Sequence, residues 1–233
     1  MNPLEAKASY THLKKKALST SKARRHILIK FGNLSRPKPR AKCSWGCRQA
    51  PTQQHILAGC RKHKGLYIKR HDRVTLAVKR YLQKSRPDAQ IISYGSQSQG
   101  DKKVPNRIFG RVSTMQLGKI VSWNLQPDVL FIDHGSKTVH VIEIGVRSWS
   151  LVPSLSVSKL KRYIPLKLAI EQGRAYSCRL HGLVLGNLGQ IPAIAIQTLS
   201  TISKTDSKNA LKCLQSISRR IAKDALTLFS LSR

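Results

Sequence analysis

One short stretch constrains this chain more than any other. Residues 43 to 60, CSWGCRQAPTQQHILAGC, hold three of the five cysteines and one histidine. Cys43, Cys47, His55 and Cys60 are spaced C-x3-C-x7-H-x4-C. Zinc takes four soft or borderline ligands at tetrahedral corners, so a close cysteine pair can bite one side of the ion while His55 and Cys60 close the other. Gly46 sits in the turn between the first two thiols, where glycine eases the backbone round a metal. His63, three residues after Cys60, is an alternative fourth ligand, and free thiols in a basic loop are the plain alternative to any metal. A knuckle over 43–64 is too small for a core of its own, so metal binding would be its folding energy.

The charge of the chain points to the partner. Among 233 residues, 43 are Lys or Arg and 10 are Asp or Glu, a net charge of +33. That charge repels itself unless a polyanion neutralises it. DNA, or RNA, is the expected partner, because each phosphate contact releases counterions. Residues 1 to 70 hold 18 cations against one acid, Glu5. Residues 1–42 read as a basic arm or linker ending in RPKPRAK, with a helix packed on the rest as the alternative. An anionic membrane surface is a competing partner, but no apolar run approaches the roughly 18 residues of a spanning helix. The first residues lack the apolar core of a secretory signal, and an odd cysteine count argues against a closed disulfide framework. The expectation is an intracellular, reduced protein with no membrane partner and no small-molecule substrate.

Beyond the knuckle the pattern is mixed α/β. HDRVTLAVKRYLQK places Val74, Val78 and Leu82 four apart, one helical stripe, with Asp72 as a candidate N-cap. Residues 91 to 126 are polar and without clear period. DVLFID and TVHVIEIGV read as strands joined by a turn at DHGSK. SVSKLKRYIPLKLAIEQG reads as a helix that Pro165 kinks or splits. HGLVLGN and PAIAIQTL read as two further strands. SKNALKCLQSISRRIAKDALTLF reads as a long helix with Leu211, Leu214, Ile217, Ile221, Ala225 and Leu228 on one face.

Ten acids leave few candidates for carboxylate chemistry. Asp128 opens one predicted strand and Glu143 lies within the next, so the two can face each other across a hairpin. Magnesium takes such oxygen ligands and bridges to phosphate. Turn acids and an edge charge are the plain alternative. Against it, Glu143 sits among Val139, Val141, Ile142, Ile144 and Val146, and a buried carboxylate needs a partner. Arg70 and His71 are candidates to hold a phosphate. KLKRY at 159–163 offers a lysine to offset transition-state charge, and is otherwise one more cationic helix face.

The motif order CSWGC, HILAGCRKHKGLYIKRHDRV, QPDVLFID, VIEIGV and KLKRY resembles the C-terminal part of site-specific non-LTR retrotransposon proteins of the kind that insert into ribosomal RNA genes. The resemblance covers roughly residues 15 to 233, most specifically 43 to 74. It implies a CCHC zinc knuckle ahead of a PD-(D/E)xK restriction-endonuclease-like domain over 65–233, a mixed sheet flanked by helices. By that resemblance Cys43, Cys47, His55 and Cys60 bind structural Zn2+, Asp128 and Glu143 bind catalytic Mg2+, and Lys159 or Lys161 replaces the lysine expected where Gly145 stands. Arg70 and His71, with Arg162 and Tyr163, would contact nucleic acid. The implied activity is nicking of target DNA in the nucleus to prime a partner reverse transcriptase. The chain departs from that pattern in two ways: residues 91–126 lack the usual Glu-Pro step, and Gln126 precedes Pro127. A catalytically inactive, truncated or host-retained nucleic-acid-binding remnant is the alternative.

Overall fold

A computed structural model describes residues 42–52, 54–93, 126–148 and 159–231. The expected basic arm lies outside these residues except for Lys42. After a π-turn at His55–Gly59 and a 3-10 turn at Arg61–His63, the elements are α1 (Lys64–Ser85), β1 (Gln90–Ser93), β2 (Val129–Asp133), β3 (Thr138–Arg147), α2 (Ile164–Gln172), β4 (Ser177–Gly186), α3 (Ala193–Ser203) and α4 (Ser207–Leu231). The sheet order is β1-β2-β3-β4. The first two pairings are antiparallel and β3 with β4 is parallel. A parallel pair needs a crossover, and α2 lies in that connection.

Two interleaved apolar sets produce this architecture. Val129 and Phe131 face one side of β2, Leu130 and Ile132 the other, and all four are fully buried. A period of two with both faces apolar describes a strand covered on both sides. On one face, Ile142, Ile144, Leu183 and Leu185 pack under Val74, Val78 and Leu82 of α1, Ala195 and Leu199 of α3, and Leu214 and Ile217 of α4. On the other, Val139 and Val141 pack under Tyr163, Leu166, Ala169 and Ile170. Each large side chain so buried contributes about 1.5–3 kcal/mol of transfer free energy.

Several sequence expectations are corrected. PAIAIQTL is not a strand: it folds as α3, with Ala195, Leu199 and Ile202 buried on one helical stripe. Short apolar runs rich in β-branched residues suit either element, and the 3.6-residue stripe decides here. The first helix starts at Lys64, eight residues before Asp72, so Asp72 is not its N-cap. The expected split is present: residues 159–161 are helical, 162–163 form a turn, and α2 starts at Ile164 with Pro165 in its first turn. A missing N–H costs nothing there. β1 occupies 90–93, at the edge of the stretch that reads as polar and aperiodic.

The stripe of α4 outruns the sheet. Its later residues, Ala225 and Leu228, pack with Ile56 and Leu57 of the π-turn. The knuckle therefore borrows its apolar floor from the last helix.

Candidate metal centre and acid cluster

Local turns assemble the knuckle. Gly46 takes φ +75°, and its amide donates to the Cys43 carbonyl at 3.0 Å. His55 and Cys60 are five apart, and the π-turn brings them together, with the Cys60 amide donating to the His55 carbonyl at 2.8 Å. The ligand atoms of Cys43, Cys47, His55 and Cys60 all lie within 4.8 Å of one another. Cys43 Sγ is 4.0 Å from Cys60 Sγ, and Cys47 Sγ is 3.0 Å from His55 Nε2. Ligands about 2.0–2.3 Å from one ion stand about 3.5–3.8 Å apart at tetrahedral corners. The four side chains can hold a metal such as zinc. Burial lowers the His55 pKa, favouring the neutral imidazole that coordinates. Burial, with the neighbouring thiols, pushes the Cys60 thiol up to about 11, a proton that a metal must displace. His63 is not in the set: its ring packs on Trp45 with centroids 3.8 Å apart.

Two residues of α1 latch the knuckle. The Tyr67 hydroxyl donates to the Ile56 carbonyl at 2.8 Å and accepts from the Cys60 amide at 3.3 Å. Arg70, only 3% exposed, donates to the Leu57 carbonyl at 2.8 Å. Arg70 thus lies inside the joint between helix and knuckle.

The acid cluster forms round the backbone of one residue, Ile144. The pairing of Val129 with Ile142 sets Asp128 beside the end of that ladder. Asp128 Oδ2 accepts from the Ile144 amide at 2.6 Å. His71 Nε2 is 3.3 Å from the same oxygen and 3.2 Å from the Ile144 carbonyl. His71 Nδ1 is 3.4 Å from Asp72 Oδ1. The hydrogen bond to Asp128 is the main cause of a raised His71 pKa, against the opposing effect of burial. Burial would raise Asp128, but His71, the Ile144 amide and the charge of Lys159 outweigh it and hold its pKa below the ordinary carboxylate value.

Glu143 lies on the α2 face of β3 and is 2% exposed. Lys159 Nζ donates to Glu143 Oε1 at 2.6 Å and to the Ile144 carbonyl at 3.3 Å. Arg162 Nη2 is 3.2 Å from both carboxylate oxygens. The buried Tyr163 hydroxyl donates to Glu143 Oε2 at 2.7 Å, and burial followed by the Glu143 charge drives its pKa upward. Arg162 also bonds the Tyr163 oxygen. Lys159 joins the cluster, whereas Lys161 is exposed.

Gly145 stands where the resemblance leads one to expect a lysine, and it packs closely on β4. A Cβ there would stand 3.3 Å from the methyls of Val184 on β4.

A scan against protein-family models and a search of curated proteins both return no match.

Further clusters were not visible in the sequence. Asp133, 2% exposed, accepts from Arg86 at 3.0 Å and Lys204 at 2.9 Å. His140 Nδ1 lies 2.9 Å from His181 Nε2 on adjacent strands. The lone signal for the first is an Asp at a strand end before a turn. For the second there is none, because 41 residues separate the partners. No helix among the described residues is long and apolar enough to cross a membrane.

Proposed function

We propose that this chain is a metal-dependent DNA endonuclease with a PD-(D/E)xK-type core and a DNA-positioning zinc knuckle, the part of a non-LTR retrotransposon protein that nicks nuclear target DNA to prime reverse transcription. The observation that carries the reading is that Asp128 accepts from the Ile144 amide while Lys159 bridges Glu143 and the Ile144 carbonyl. The order of knuckle, acids and lysine along the chain supports it.

The donor set suits magnesium, which prefers carboxylate and carbonyl oxygens. Asp128, Glu143 and the Ile144 carbonyl would hold the ion. When bound, it would polarise the scissile phosphate and lower the pKa of an attacking water. The chain's own residues do the rest. Lys159 carries positive charge beside the carboxylates, where it offsets charge developing on a phosphate. Tyr163 and the Ile144 amide orient the two carboxylates. Arg162 is 47% exposed at its side chain and can reach a phosphate from the rim.

One observation favours an inactive nucleic-acid-binding remnant instead: both oxygens of Glu143 are already committed to Lys159, Arg162 and Tyr163. Plasmid nicking separates the two readings. The nuclease nicks with Mg2+, and Asp128→Ala and Glu143→Ala abolish the nick while DNA binding persists. Absence of Mg2+-dependent nicking, or nicking unchanged in both variants, overturns the nuclease reading.

A further inference from the structure

We infer that the groove between α1 and α4 is a second nucleic-acid site, and that it takes a single strand. The groove has a volume of about 680 Å³. Arg80 and Lys84 line it from α1, Lys212 and Arg220 from α4, and no acidic side chain lines it. All four cations are exposed, and none of the four has an ion pair among the described residues. Arg73, at one end, is instead held by Asp224 at 2.8 Å. The two helices therefore present parallel cationic rails.

The floor differs from the rails. It is formed by Ala77 and the ring of Tyr81 from α1 and by Cys213 and Ile217 from α4, all packed on the core, and the Tyr81 hydroxyl is held by Thr205 at 2.7 Å. An apolar floor between cationic rims suits a strand whose bases turn inward and whose phosphates turn outward. A duplex keeps its bases stacked inside and has nothing to place on the Tyr81 ring. At 1.5 Å per residue the rail from Arg80 to Lys84 on α1 is about 6 Å long and that from Lys212 to Arg220 on α4 about 12 Å, room for roughly two or three nucleotides.

The groove is separate from the acid cluster. Arg80 follows His71 by nine residues, and at about 100° per residue the two point to opposite sides of α1. A strand in the groove is thus bound away from the carboxylates. This site does not depend on the nuclease reading and stands even where Asp128 and Glu143 are inert.

The test uses the full zinc-loaded chain and fluorescence anisotropy with a labelled single-stranded oligonucleotide, the matching duplex, and an acidic amphipathic peptide. Two variants are compared, Arg80→Gln with Lys212→Gln, and Lys84→Gln with Arg220→Gln. Glutamine keeps helix propensity at these exposed positions, and circular dichroism confirms folding. Each double variant is expected to weaken single-strand binding about tenfold or more and to flatten its salt dependence by about 1.4 log units per log unit of salt, two phosphate contacts' worth. Duplex binding should fall much less. Equal losses for strand and duplex, or no loss in either variant, overturn the proposal. So does a peptide that binds the groove more tightly than the strand does.

Discussion

The knuckle and the acid cluster both gather four or more polar side chains into a small space, and they are stabilised in opposite ways. In the knuckle, three thiols and an imidazole face one another with no counter-charge. Cys43 and Cys60 are buried, and the Nδ1 of His55 has no partner among the described residues. Among the described residues the thiols and the imidazole contact chiefly one another, an arrangement that can hold a metal. In the acid cluster, every carboxylate oxygen so far named has a donor: the Ile144 amide, His71, Lys159, Arg162 or Tyr163. That centre stands assembled by cations. One metal would therefore be part of the fold, and the other a guest that displaces existing partners.

The largest test of this contrast removes zinc. Cys60→Ser should forfeit most of the roughly 10–16 kcal/mol that such sites gain from the metal. Hydrogen exchange should show the amides of 55–63 opening while β3 stays protected. Collapse of the whole sheet would show that the knuckle is integral to the core.

The next test extends the comparison to His140 and His181, which satisfy each other only while uncharged. Burial first, then nearby arginine or histidine charge, lowers both to about 4 from an ordinary 6.5. A histidine with a lowered folded pKa binds its proton more readily in the unfolded chain, so stability falls as pH drops from 6.5 toward about 4, by roughly 2–3 kcal/mol. Urea melts across that window should show the slope, and His181→Gln should flatten it. Asp128 and Asp133, with depressed pKa values, lose their contribution only on further acidification.

A smaller effect is expected within the acid cluster. Tyr163→Phe leaves Glu143 Oε2 one donor short in a buried site, for about 1–3 kcal/mol in urea melts. An unchanged midpoint would show that Lys159 and Arg162 satisfy the carboxylate alone. Smallest is Arg70→Lys, which loosens the latch on Leu57 by about 1 kcal/mol. It should speed exchange in the knuckle and leave Glu143 and Asp128 undisturbed.

The comparison also explains what could be read from the sequence. Knuckle ligands fall within eighteen residues, so spacing alone exposes them. The apolar run round Glu143 announces a buried strand, and burial of its carboxylate demands a cation, which the residues just before α2 supply. Lys159 and Lys161 were inseparable without the backbone, because both precede the break at Tyr163. The bond from His71 to Asp128 spans 57 residues and depends on where α1 crosses the sheet, so no local pattern contains it. Arg70 was equally opaque: a basic residue in a basic chain looks like a phosphate contact until its helix start is known. The strand reading of α3 failed because branched residues suit both periods.

The most direct measurement is Mn2+ binding, followed by electron paramagnetic resonance, to the zinc-loaded chain. The ion stands in for Mg2+ at oxygen ligands. One saturable site should appear in the wild type, vanish in Asp128→Asn and Glu143→Gln, and survive in Arg70→Lys. Equal binding in all four proteins, or none in the wild type, would contradict a hard-cation site at Ile144.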